Sequence, residues 1–214
     1  MRGIFKQSIV VGFLIPFSSW AAEGHSSDVK GTQNAKIFVM VLNVAPVPAH
    51  TLSKAQKQAG EILGNVGVDV EWIDCQLSVN APVCTGAAEA DRLTLTIVTE
   101  DNRQMYGEDV LGRSVVGNSN KGVYARVFYA HIQAMAERER VDTGALLGLA
   151  IAHEFGHLLI GPNAHSPQGI MRANWSHRDI ERGIQGRLQF TAQQAPIIRA
   201  GVQSRIQDRA ALQN

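Results

Sequence analysis

The residues of this chain best suited to chemistry are two histidines four positions apart with a glutamate beside the first, His153-Glu154-Phe155-Gly156-His157. An α-helix turns every 3.6 residues, so positions i and i+4 share a face and both imidazoles can close on one ion. Neutral imidazole nitrogen suits zinc, and a zinc site with three protein ligands keeps a vertex for water. Glu154 can point at that water without binding the metal, take its proton and pass it to a leaving amine. The pattern therefore specifies two ligands, His153 and His157, and a general base, Glu154, for metal-assisted hydrolysis of an amide. The plainer reading is a pair of solvated histidines on an amphipathic helix. That reading needs a polar face, and the preceding stretch Gly144–Ala152 is apolar on every side. Burying two His and a Glu there costs several kcal/mol without partners, and a metal offsets the cost.

A third ligand is required. Gly161 lets the chain leave the helix in a left-handed turn, and Pro162-Asn163-Ala164 carries it back to His165, the first choice. His177, Asp179 and Glu181 are the alternatives. Arg172, Asn174 and His177 are candidates for holding an oxyanion or substrate, although solvated loop residues are the plainer account of them. His25, His50 and His131 have no partner pattern and are read as surface residues.

Ser166-Pro167-Gln168 and Gly169-Ile170-Met171 follow His165. With them the stretch 142–175 resembles the metzincin family of zinc peptidases, whose pattern is a helical HExxH, a glycine turn, a third His and a downstream turn carrying a methionine. His153, Glu154, His157, Gly161, His165 and Met171 fill those places in order. Gly161 follows His157 by four residues and His165 follows it by eight, both later than in the usual pattern. The resemblance implies an apolar floor at Met171 and a substrate extended along an edge strand, for which Val123–Tyr129 is the candidate. A third ligand at Glu181 would instead resemble the gluzincins.

The elements that must position these residues are legible in part. Lys36–Val44 is a continuous β-prone apolar run, the mark of a strand covered on both faces. Leu52, Ala55, Ala59, Ile62 and Leu63 recur at helical spacing within Thr51–Gly64. Gly67–Ile73, Leu93–Val98 and Gly122–Tyr129 read as further strands, the last a candidate edge strand, and Glu100–Gly122 reads as a long surface connection. The central helix starts on an Asp142 or Thr143 cap, runs to about Ile160 and stops at Gly161-Pro162. Ile198, Val202 and Ile206 form one stripe of a C-terminal helix. The expected fold is α+β: a small, mixed, twisted sheet with a backing helix, a central active-site helix and a C-terminal helix, metzincin-like by the resemblance.

The 214 residues suffice for one domain, and 45% hydrophobic with 18% charged residues is an ordinary globular mixture. A net charge of +1 without charge blocks gives no reason to expect nucleic acid or an anionic membrane as partner. Arg2 and Lys6, the apolar run Ile9–Phe17 and the small residues Ser19 and Ala21 form a signal-peptide pattern, so 1–21 is read as a signal, 22–35 as a flexible lead-in and 36–214 as the peptidase domain. The expected location is then secreted or periplasmic, with no membrane attachment after cleavage. The two cysteines, Cys75 and Cys84, agree with export as one disulfide closing a short loop, worth about 2–3 kcal/mol. The reading as a whole is a monomeric secreted zinc metallopeptidase with one catalytic Zn2+ and a peptide or protein substrate. Its competitors are an inactive secreted zinc-binding protein and a zinc hydrolase of non-peptide amides.

Overall fold

A computed structural model of the protein describes residues 34–75, 92–99, 107, 109–116, 122–161 and 163–212. The signal-peptide segment 1–21, nearly all of the lead-in, His25 and Cys84 lie outside the described residues. Cys75 closes a strand and is buried.

Among the described residues five strands form one sheet: β1 (Ala35–Asn43), β2 (Val68–Cys75), β3 (Arg92–Val98), β4 (Gly112–Val115) and β5 (Tyr124–Phe128), in the order β2-β1-β3-β5-β4. β1 pairs in parallel with β2 and with β3, and β3 pairs in parallel with β5. β4 alone runs antiparallel, placing Ser114 opposite Ala125. Alternate residues explain which face is covered. Ile37, Val39 and Val41 of β1, Leu93, Leu95 and Ile97 of β3, and Ala125 and Val127 of β5 enter one core with the helices.

Five helices occur among the described residues: α1 (Ala49–Gly64), α2 (Tyr129–Glu139), α3 (Thr143–Ile160), α4 (His177–Ile184) and α5 (Gln194–Leu212). The stripe of Leu52, Ala55, Ala59, Ile62 and Leu63 on α1 is buried, and α1 packs along α3. Although α3 is long and apolar enough to cross a membrane by composition, 78% of it is buried inside the fold. It is the central helix that its all-round apolar sequence predicts. The Asp142 carboxylate caps it, accepting from the Ala145 amide at 2.8 Å. At its other end Gly161 has φ 114° and ψ −173°. This is a glycine-only extended region with positive φ, not the left-handed turn expected. Ile198 and Val202 bury the stripe of α5.

Three expectations are corrected. The connection read over Glu100–Gly122 contains β4. That short strand takes the edge, so the Val123–Tyr129 segment is an interior strand, paired on both sides through Tyr124–Phe128. And His131 is no surface residue: it is 1% exposed on the inner face of α2, with Nδ1 2.7 Å from the Val110 carbonyl. That bond, together with Phe128 N–H donating to Leu111 O at 2.9 Å, fastens the entry to β4.

Candidate active site

His153 and His157 lie one turn apart on α3, and the chain beyond Gly161 returns His165 to them. His157 Nε2 is 3.2 Å from His153 Nε2 and 3.2 Å from His165 Nε2. Three ligand nitrogens thus lie within 4.8 Å of one another. The other nitrogen of His153 explains its tautomer: Nδ1 donates to the Ile170 carbonyl at 2.8 Å, so the Nε2 lone pair faces its neighbours. Burial, reinforced by the neighbouring His165, outweighs that carbonyl and lowers the His153 pKa to about 4. Burial and the two neighbouring rings lower His157 to about 4 as well. At neutral pH these imidazoles are uncharged, the form that ligates a metal. Three converging imidazole nitrogens, one ring oriented by an outer carbonyl, are a donor set that fits zinc.

Glu154 points from α3 toward the sheet edge and is 6% exposed. Ser114 Oγ of β4 lies 2.7 Å from its Oε2. Burial raises the Glu154 pKa to about 7, against the opposing pull of the Ser114 bond and of Arg113. A carboxylate poised near neutrality can accept and return a proton.

Met171 is fully buried beneath α3. A Cβ on Gly156 would lie 2.3 Å from Met171 Sδ, so the absent side chain there lets the helix rest on Met171 where it sits. The Ser166 amide donates to Met171 O at 2.9 Å, closing the turn that follows His165. His153, Glu154, His157 and His165 open onto a cavity of about 700 Å³, whose wall includes Leu111, Met135, Arg138, Arg172, Asn174 and Trp175.

The other candidate ligands are elsewhere. His177 is exposed, with Nδ1 2.7 Å from Glu139 Oε2 and Nε2 3.3 Å from Glu181 Oε1. Asp179 forms a capping box with Ser176 and accepts from Arg172 Nη1 at 2.8 Å. Arg172 and Asn174 do line the cavity, whereas His177 does not. His50 is exposed, as expected. Sequence reasoning missed Ser114, Gly112, Trp175 and the Ile170 carbonyl. The capping box had a signal, Ser176 followed by Asp179 three positions on. Ser114, in a polar stretch, had none.

No protein-family model matches the chain, and no curated protein matches it. Solved structures do. A zinc-dependent peptidase from Methanocorpusculum labreanum is 15% identical with a TM-score of 0.49, over 75% of this chain and 99% of that one. Archaemetzincin from Methanopyrus kandleri is 15% identical with a TM-score of 0.48, over 82% and 99%. Metalloproteinase-II from Bacteroides fragilis is 13% identical with a TM-score of 0.51, over 82% of this chain and 55% of that one. This last likeness is one of fold, over about half the length of the Bacteroides chain.

Proposed function

We propose that this chain is a zinc-dependent metallopeptidase of metzincin type, with His153, His157 and His165 as metal ligands, Glu154 as general base and Met171 as the floor of the site. The observation that carries the reading is the meeting of three imidazole Nε2 atoms and a buried carboxyl in one cleft. The fold shared with the Bacteroides metalloproteinase supports it.

His153, His157 and His165 would hold the zinc, which when bound would supply Lewis acidity toward water and the scissile carbonyl. The chain supplies the rest. His153, fixed by Ile170 O, orients the ligand set. Glu154 takes the proton of the attacking water and delivers it to the leaving nitrogen. The peptide lies extended along β4, whose outer side has no strand partner among the described residues. This replaces the interior segment Val123–Tyr129 as the substrate strand. Export and a Cys75–Cys84 disulfide belong to the same proposal and rest on the N-terminal pattern and the cysteine spacing.

An inactive zinc-binding protein is the second reading. A buried carboxyl beside the ligands, facing a large open cleft, is a feature that a structural zinc site does not need.

The test pairs zinc content with cleavage of a mixed peptide library. Glu154→Ala should keep its zinc and lose about 10²–10⁴-fold in turnover. His165→Ala should lose more zinc affinity than the ~10–100-fold typical of outer-shell changes, and activity with it. Full turnover by Glu154→Ala would remove the peptidase reading, and unchanged zinc affinity in His165→Ala would remove the third ligand.

A further inference from the structure

β4, whose outer side has no strand partner among the described residues, also touches the base. Ser114 turns its side chain toward α3, with Oγ 2.7 Å from Glu154 Oε2 and 2.8 Å from the Glu154 backbone carbonyl. A hydroxyl has one proton, so Oγ donates to one of these two oxygens at a time. The two oxygens together fix where Oγ sits. Gly112, two residues back, points the same way. A Cβ there would lie 2.9 Å from both Cγ and Oε1 of Glu154 and 2.8 Å from the Arg126 carbonyl. The Glu154 side chain thus lies in a cradle made by one four-residue strand: an absent side chain at Gly112 and a hydroxyl at Ser114.

We propose that Ser114 is the positioning residue for Glu154, holding Oε2 so that Oε1 exchanges the proton with water and leaving group. The inference rests on the peptidase reading and extends it. Because β4 carries both the cradle and an outer side without a strand partner among the described residues, a peptide docked along that side and the carboxylate are referenced to the same backbone. Loss of the hydroxyl then leaves substrate binding intact and lets the carboxylate wander. A misplacement on the scale of one bond length is enough to slow proton transfer sharply.

Wild type, Ser114→Ala and Ser114→Thr, each loaded with zinc, are compared for kcat and KM on a fluorogenic peptide that wild type cleaves, for zinc affinity and for thermal midpoint. Ser114→Ala should lose about 10–100-fold in kcat, with KM changed by less than about twofold as expected for an interaction outside ground-state binding. Its zinc affinity and thermal midpoint should match wild type, and Ser114→Thr, which restores the hydroxyl, should recover most of kcat. Unchanged kcat in Ser114→Ala overturns the inference. So does a loss that comes with weaker zinc binding or a lower midpoint, or one that threonine fails to rescue, because the hydroxyl then serves the fold. Failure of the underlying reading looks different: wild type itself binds zinc and cleaves no peptide.

Discussion

The carbonyl oxygen of Ile170 accepts from two donors, His153 Nδ1–H at 2.8 Å and the Trp175 indole N–H at 3.0 Å. Trp175 also sets its ring edge-on to His153, with centroids 5.5 Å apart. One imidazole is therefore steered through a shared acceptor and braced by an aromatic ring, and neither partner need contact the metal. Outer partners of this kind typically govern metal affinity by ~10–100-fold. Trp175→Phe keeps the ring and removes the donor, so zinc affinity should weaken by about tenfold, the lower end of that range. Competition against a chromophoric chelator measures it. Affinity equal to wild type would mean that the indole N–H plays no part in aiming His153.

The elements differ in how far their sequences announce them, and the reasons are physical. α3 is readable because its residues are apolar all round and only burial suits them; the two histidines and the glutamate on it are readable for the same reason. β1 is readable as a long β-prone apolar run, and β3 as a shorter one in which Leu93, Leu95 and Ile97 alternate with Thr94 and Thr96. β4 is Gly-Arg-Ser-Val, too short for an alternating pattern to stand out, and its pairing with β5 joins segments that local sequence does not relate. So the metal ligands could be seen, while Ser114 and Gly112, 40 and 42 positions upstream of the base they cradle, could not. α4 buries only Asp179, Ile180 and Gly183, and most of what holds it is polar. His177 at its first turn bonds Glu139 at the end of α2, with Arg138 and Glu181 as the other charged neighbours. The Glu139 contact raises the His177 pKa above 6.5, with Glu181 adding to the shift, and the His177 and Arg138 contacts hold Glu139 below 4.5. The histidine's share of stability is complete below pH 6.5 and lost as pH rises through its raised value; the glutamate's is complete above pH 4.5 and lost as pH falls through its lowered value. Melting curves of wild type and His177→Ala should therefore differ most between pH 4.5 and 6.5, by about 1–3 °C for an exposed pair. A difference that grew toward alkaline pH would contradict the link between α2 and α4.

At the scale of the whole molecule, the C-terminal helix completes the central one. The Leu158 carbonyl lies in the last turn of α3, where its helical partner four residues on is position 162, a proline with no N–H to give. Arg205 of α5 takes that place: buried at 2% exposure, its Nη2 donates to Leu158 O at 2.9 Å and to Gly122 O at 2.7 Å. Burial pulls its pKa below the usual arginine value, with Asp208 working in the opposite direction. The approach is close, since a Cβ on Gly201 would lie 2.5 Å from Leu159 O. One side chain thus ties α5 to the end of the helix that carries His153 and His157, and to the residue from which the chain enters β5. Arg205→Met fills much of the same volume but leaves both carbonyls without this donor, at a cost of about 2–4 kcal/mol. The thermal midpoint should fall by about 5–15 °C. Because neither carbonyl belongs to the cleft, zinc stoichiometry and kcat at a temperature well below the midpoint should match wild type. A variant that melts like wild type would show that water or the chain beyond Gly161 serves these carbonyls equally well. One that loses zinc while still folded would show that the end of α3 moves its histidines, making α5 part of the metal site rather than its support.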